Sequence, residues 1–362
     1  MSAPDPVAGS VVDSVLDSVA DPSSPRPAPV VFGLAGTALS APERPFFAEA
    51  DPLGFILFAR NCETPGQVRA LVEDLRDLVG RADAPVLIDQ EGGRVARLGP
   101  PHWRRSPAAW NFVELARRAP ESGVEAARLN ARLMACELAA LGIDVDCAPV
   151  LDVRQADAHE VIGDRAHGDD PNIVSALGRA VAEGLLAGGV LPVIKHVPGH
   201  GRARADSHLE LPRVDTPRRD LAAIDFAPFA ALADMPWAMT AHVLYAALDS
   251  ERPATTSAKV IAEVIRGEIG FDGVLVSDDL GMKALGGPLG ARGADALTAG
   301  CDLALHCSGK MDEMLAVRAA LPAMTTACAE RLARGRAALA SPPDPVEPAA
   351  LAARLDTLLG RA

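Results

Sequence analysis

Eight times along this chain a short β-branched or apolar run gives way to a stretch with helical spacing, and this alternation limits the fold more than any other feature. The runs are VVFGLAG from Val30, GFILFA (Gly54 to Ala59), PVLID ending at Asp89, IDVDCAPV from Ile143, VLPVIKH (Val190 to His196), PWAMTAHV (Pro236 to Val243), GVLVSD (Gly273 to Asp278) and CDLALH (Cys301 to His306). The first complete unit shows the grammar. After GFILFA, Thr64, Pro65 and Gln67 supply an N-cap, an N1 proline and an N3 glutamine. Val68, Leu71, Val72, Leu75 and Leu78 then keep the i, i+3, i+4, i+7 spacing, and Gly80 is placed to end the helix. A second helix is predicted around Glu125 to Leu141, stopped by Gly142, and a third from Asp170 and Pro171 to about Leu186.

Strand–helix alternation of this kind fits either a closed parallel barrel or a doubly wound open sheet. The count of eight favours a single (β/α)8 TIM-type barrel. So does the placing of Arg60, Asp89, His196, His242 and Asp278 where the runs end, because barrel enzymes build their sites from the C-terminal ends of the strands. An apolar fraction of 49% with only 4% aromatics supplies the Ala, Val, Leu and Ile that buried parallel strands need. Residues 1–29, rich in Pro, Ser and Asp, are read as a flexible N-terminal segment with a weak helix near Val11 to Val19. Residues 30–340 form the catalytic domain in this reading, and 341–362 a tail with one short helix.

Several function classes are disfavoured. A net charge of −13 argues against nucleic acid and anionic membrane as partners. Six cysteines without CxxC pairs read as buried thiols, not a disulfide or zinc framework. The N-terminus has acids where a secretory signal has a basic start, and the longest apolar stretch, Val181 to Ile194, contains Glu183 and is too short to span a bilayer. A cytoplasmic, monomeric protein is expected.

Three segments could carry chemistry. KHVPGHGRARADSH (Lys195 to His208) is a strand end entering a loop with three histidines. His196 and His200 are four apart, but Pro198 and Gly199 between them exclude the helical face on which that spacing holds zinc, so no metal is expected. The alternative is a loop that presents His208 as a proton-transferring imidazole with Asp206 to orient it, against a bland reading in which both are solvated. GVLVSDDLGM places Asp278 and Asp279 at a strand end; one carboxylate can attack an anomeric carbon while the other caps the helix that follows. LIDQEGGRVARL, with Asp89 and Arg97, and VIGDRAHGDD, with Arg165, offer polar contacts to a sugar or ordinary salt bridges.

Taken together, GFILFARN, DQEGGRVARL, IDVDCAPVLDV, IGDRAHGDD, KHVPGHGRARADSHLELP, AHVLYAALD and GFDGVLVSDDLGM resemble, in order, the β-N-acetylhexosaminidases of glycoside hydrolase family 3, over roughly Gly54 to Leu305. The resemblance implies Asp278 as nucleophile and Asp279 as its structural neighbour. It likewise implies His208 as acid/base with Asp206 as dyad partner, and Asp89, Arg97, Arg165, Lys195 and His196 as the sugar-binding set. Arg60 and Asn61 are given a positional role. The implied activity is release of terminal N-acetylglucosamine from peptidoglycan fragments such as 1,6-anhydromuramoyl peptides, or from chitooligosaccharide-type glycosides, with retention and no cofactor. One departure is local: the family often has Gly-Asp-Thr after PGHG, where this chain has Gly201, Arg202, Ala203 and Arg204. Competing readings are a β-glucosidase of the same family, a catalytically silent sugar-binding barrel, and attack by the substrate's own acetamide instead of Asp278.

Overall fold

A computed structural model describes residues 26–156, 158–339 and 345–361. Eight parallel strands close into a barrel in which each pairs with the next in the chain and the last with the first. They are β1 (Ala28–Gly33), β2 (Pro52–Leu57), β3 (Val86–Ile88), β4 (Val145–Asp146), β5 (Leu191–Val197), β6 (Trp237–Thr240), β7 (Val274–Asp279) and β8 (Leu303–His306). The open sheet is thereby excluded: Val30, Val31 and Phe32 of β1 face Ala304, Leu305 and His306 of β8.

Side chains alternate between two apolar layers, as the period of a strand requires. Val31, Ile56, Leu87, Val145, Val193, Trp237, Val276 and Leu305 fill the barrel interior. Their neighbours Val30, Phe32, Phe55, Leu57, Val86 and Ile88 pack outward against the helices. Both layers are apolar, so the strands read as continuous apolar runs and not as alternating ones.

The local signals in the first unit act as predicted. Thr64 Oγ1 accepts the N–H of Gln67 at 3.2 Å, and the helix Pro65–Leu78 ends before Gly80, whose φ is +63°. Asp170 caps Pro171–Ala187 through the N–H groups of Asn172 and Ile173. The helix expected near Glu125 begins earlier, at Pro120, and a further helix, Ala109–Arg118, precedes it. The run from Ile143 to Val150 forms a strand only at Val145–Asp146, with Val150 rejoining Lys195 in a single bridge; between them the Ala148 N–H turns back to the Asp146 carbonyl at 2.8 Å instead of continuing the ladder, and Pro149 has no N–H to offer. β1 starts at Ala28, within the segment read as N-terminal, and the Val11 to Val19 helix lies outside the described residues. The helix Pro348–Leu358 packs on Pro120–Ala139, where Arg354 pairs with Glu125 at 2.8 Å. All six cysteines are free, with Cys147, Cys301 and Cys328 buried and Cys62, Cys136 and Cys307 half-buried. No helix among the described residues is long and apolar enough to cross a membrane.

Candidate active site

A cavity of ≈ 340 Å³ opens where the strands end on their C-terminal side, and the eight residues expected to act in catalysis or sugar binding all line it: Asp89, Arg97, Arg165, Lys195, His196, Asp206, His208 and Asp278. Its volume lies at the small end of ligand pockets, about 300–1,000 Å³.

One wall is a chain of alternating charges. Arg97 Nη2 donates to Asp89 Oδ2 at 2.9 Å, and Lys195 Nζ donates to Asp89 Oδ1 at 2.9 Å. The same ammonium lies 2.7 Å from Glu91 Oε1. Arg165 grips Glu91 with two parallel bonds of 2.8 Å, from Nε to Oε2 and from Nη2 to Oε1. Burial alone would neutralise these groups. The neighbouring charges prevail, so the carboxyls of Asp89 and Glu91 sit below their ordinary range and the Lys195 ammonium is held above its own. Lys195 and His196 both face the cavity although adjacent on β5, whose pairing with β6 slips in register between Lys195 and Val197. Behind His196 the fully buried Asp152 accepts its Nδ1–H at 2.7 Å and the backbone N–H of His200 at 2.6 Å, which leaves Nε2 as the free polar atom of the His196 ring.

The opposite side is built by β7. Asp278 Oδ1 accepts the backbone N–H of Asp279 at 2.8 Å. Burial would raise this carboxyl, but His242, His196, that N–H and Lys195 together keep it below its ordinary range, so it stays ionised. Asp279 also borders the cavity, but its Oδ1 accepts the N–H groups of Gly281 and Cys307, each at 3.0 Å, fastening the turn after β7 to the end of β8. His242 donates from Nε2 to the Asp279 carbonyl at 3.0 Å, and burial keeps its imidazole below the usual range. The adjacent acids therefore divide by their bonds: Asp278 accepts its neighbour's N–H, while Asp279 is tied to the backbone of the following turn and of the segment after β8.

Over the mouth lies the loop after β5. Asp206 Oδ1 accepts both the backbone N–H of His208 at 2.9 Å and its ring Nδ1–H at 2.8 Å. Partial burial would raise the Asp206 carboxyl, but these two donors hold it down. The imidazole is 62% exposed, and Nε2 is the atom left to give or take a proton.

The model of the glycosyl hydrolase family 3 N-terminal domain matches residues 45–333. The chain belongs to glycosyl hydrolase family 3. Its relatives include the β-hexosaminidase of Alkalilimnicola ehrlichii, 43% identical over 77% of this chain and 80% of that one. The β-hexosaminidase of Methylococcus capsulatus is 40% identical over 84% of this chain and 92% of that one. Among solved structures, NagZ from Neisseria gonorrhoeae in complex with N-trifluoroacetyl-D-glucosamine superposes with a TM-score of 0.82 at 31% identity, covering 92% of this chain and 99% of that one.

As a family 3 glycoside hydrolase, this chain carries two site residues that local sequence did not single out, Glu91 and Asp152. Both lay inside quoted motifs, but only a partner far along the chain reveals them: Glu91 meets Arg165 across 74 residues and Asp152 meets His196 across 44. Arg60 and Asn61 do not reach the cavity. They bond the carbonyls of Leu34, Gly36 and Cys307, tying the ends of β1 and β8 together. The local departure from the family also faces away. Arg202 Nε donates to the buried Asp225 at 2.7 Å and Ala203 is packed in the core, so neither lines the cavity. The nearest pair of histidines is likewise committed, His196 to Asp152 and His200 Nε2 to Ser207 Oγ at 3.2 Å.

The charged wall makes a prediction about acid stability. Glu91 and Asp89 have folded-state pKa values below their ordinary 4.5 and 3.8, so the folded protein binds fewer protons than the unfolded chain as the pH falls through that window. The stability they contribute is present above these values and lost below them. Glu91→Gln is expected to flatten this loss, to lower the urea midpoint at neutral pH, and to raise KM because Lys195 and Arg165 lose their shared anion. Urea midpoints measured between about pH 3 and 7 check it; an unchanged slope would remove Glu91 from the account.

Proposed function

We propose that this family 3 enzyme is a retaining exo-β-N-acetylglucosaminidase that releases terminal non-reducing N-acetylglucosamine from peptidoglycan fragments, 1,6-anhydromuramoyl peptides among them, in a cytoplasmic cell-wall recycling role. The observation that carries this reading is a single small cavity lined by an ionised Asp278 from β7 and by the Asp206–His208 pair from the loop after β5. Support comes from the likeness to a NagZ bound to an N-acylated glucosamine and to the β-hexosaminidases.

The chemistry is a double displacement. Asp278 attacks the anomeric carbon while His208 Nε2 protonates the leaving oxygen, giving a glycosyl-aspartate; the same nitrogen then takes a proton from water, which releases the sugar with its configuration retained. Asp206 fixes the tautomer by accepting from Nδ1 and stabilises the imidazolium that forms. Asp89, Arg97, Arg165, Lys195 and His196 bind the hydroxyls and the acetamide. With a histidine as acid/base, the carboxyl-to-carboxyl distance of ordinary retaining enzymes is no guide.

A chromogenic N-acetyl-β-D-glucosaminide assayed beside the matching β-glucoside, with and without EDTA, tests this. Hydrolysis of the first at a kcat/KM on the order of 100-fold above the second is expected, unaffected by the chelator. Equal cleavage of both would make the protein a broader glycosidase. Binding of N-acetylglucosamine without cleavage would make it a sugar-binding barrel.

A further inference from the structure

The turn that carries the dyad is closed on itself. Besides the two bonds from His208, the N–H groups of Leu209 and Glu210 donate to the Asp206 carbonyl at 2.8 and 3.1 Å, so residues 206–210 form one hydrogen-bonded unit. A closed unit still needs a fixed point, because His208, Leu209, Glu210 and Leu211 are all exposed. Between the buried residues Ala203 and Pro212, Ser207 alone is buried, at 3% exposure. Among the described residues, Asp206 through Leu211 also make hydrogen bonds outside the turn only at Ser207.

Those bonds run to two different parts of the barrel. Ser207 Oγ lies 3.2 Å from His200 Nε2, and the Ser207 carbonyl accepts the N–H of Ala284 at 3.1 Å. His200 is a firm post. Its backbone N–H donates to Asp152 at 2.6 Å, and Gly201 beside it passes so close to the Val153 carbonyl that a Cβ there would lie 2.0 Å from the oxygen. Its ring is buried and burial pushes the imidazole down to about 4, so near neutral pH it presents a nitrogen to Ser207 without a charge. Ala284 belongs to the loop that follows Asp278, and that loop is tied back through the N–H of Met282 to the Asp279 carbonyl at 3.1 Å.

We propose that Ser207 is a positioning residue: by binding His200 on one side and the Asp278 loop on the other, it sets the Asp206–His208 dyad at its working separation from the nucleophile. It rests on the reading of Asp278 and His208 given above. A turn that is rigid within itself but free to tilt about its ends would carry the imidazole off line, and a misplacement of about 1 Å at a reacting centre costs roughly 100-fold. In Ser207→Ala the carbonyl bond to Ala284 stays and only the bond to His200 is lost, so the loss falls on the seating of the turn that carries the imidazole, and hence on proton transfer.

That selectivity is the test. Ser207→Ala in the full chain is assayed for kcat/KM over N-acetylglucosaminides whose leaving groups run from dinitrophenol to simple alcohols, with melting temperature as a check on folding. The dinitrophenyl substrate is expected to stay within about threefold of wild type, while the poorest leaving groups lose about 30- to 100-fold. His200→Phe, which removes the nitrogen and leaves the serine in place, is expected to show the same leaving-group trend and covers the case of a poorly folding Ser207 variant. A uniform loss across the series, or no loss on any substrate, overturns the proposal. His208→Ala run in parallel separates the two levels of inference: if it too shows no leaving-group dependence, the assignment of the acid/base fails, and if it does while Ser207→Ala does not, only the positioning role fails.

Discussion

Asp278→Asn is expected to lower turnover by on the order of 10⁴-fold or more while leaving the fold intact. The amide matches the carboxylate in shape and keeps an oxygen to accept the N–H of Asp279, but it cannot form the glycosyl ester. Asp279→Asn should cost much less activity. The half-buried Asp279 carboxylate is engaged with the N–H groups of Gly281 and Cys307, and the amide keeps the accepting oxygen but loses the charge, so the change registers as stability, about 1 kcal/mol, the difference between charged and neutral acceptors. Steady-state rates and urea midpoints on the two variants give a crossed pattern: activity lost in one, stability in the other. If the Asp279 variant lost hydrolysis and the Asp278 variant kept it, the choice of nucleophile would be wrong.

His208→Ala should divide substrates by leaving group. With an alkyl or sugar aglycone the first step needs a proton and falls by about 10²–10⁴-fold. With a dinitrophenyl glycoside the bond breaks unaided, the glycosyl-enzyme accumulates, and hydrolysis stalls for want of a base. The measurement is a pre-steady-state burst of dinitrophenolate, paired with intact-protein mass spectrometry for a sugar adduct on Asp278. Asp206→Ala acts in the same direction and more weakly, since the imidazole remains but loses the carboxylate 2.8 Å from its Nδ1. Unchanged rates on good and poor leaving groups alike would exclude His208 as the acid/base and leave its loop a binding role.

Much of this was legible along the chain, because strand and helix signals are local. Thr64, Pro65 and Gln67 start a helix wherever they stand, and a carboxylate that ends an apolar run, as Asp278 does, lies at the rim of whatever parallel sheet those runs build. Eight such runs left a choice between open sheet and barrel, and only the pairing of β1 with β8 decided it. Eight of the polar residues that line the cavity could be named from their motifs, since each stands at a strand end or in the loop that follows one. What each one bonds could not. Lys195 and Asp89 are 106 residues apart, Arg165 and Glu91 are 74 apart, and Ser207 reaches Ala284 in a loop that the barrel brings back from two strands away. Composition and spacing determine which segments are strands, helices and loops, because those preferences act over a few residues. Which carboxylate neutralises a buried ammonium, which of two adjacent acids is tied to backbone, and what holds the dyad's turn in place depend on Coulomb and hydrogen-bond contacts a few ångströms long, and these exist only once the closed barrel has brought the distant strand ends together.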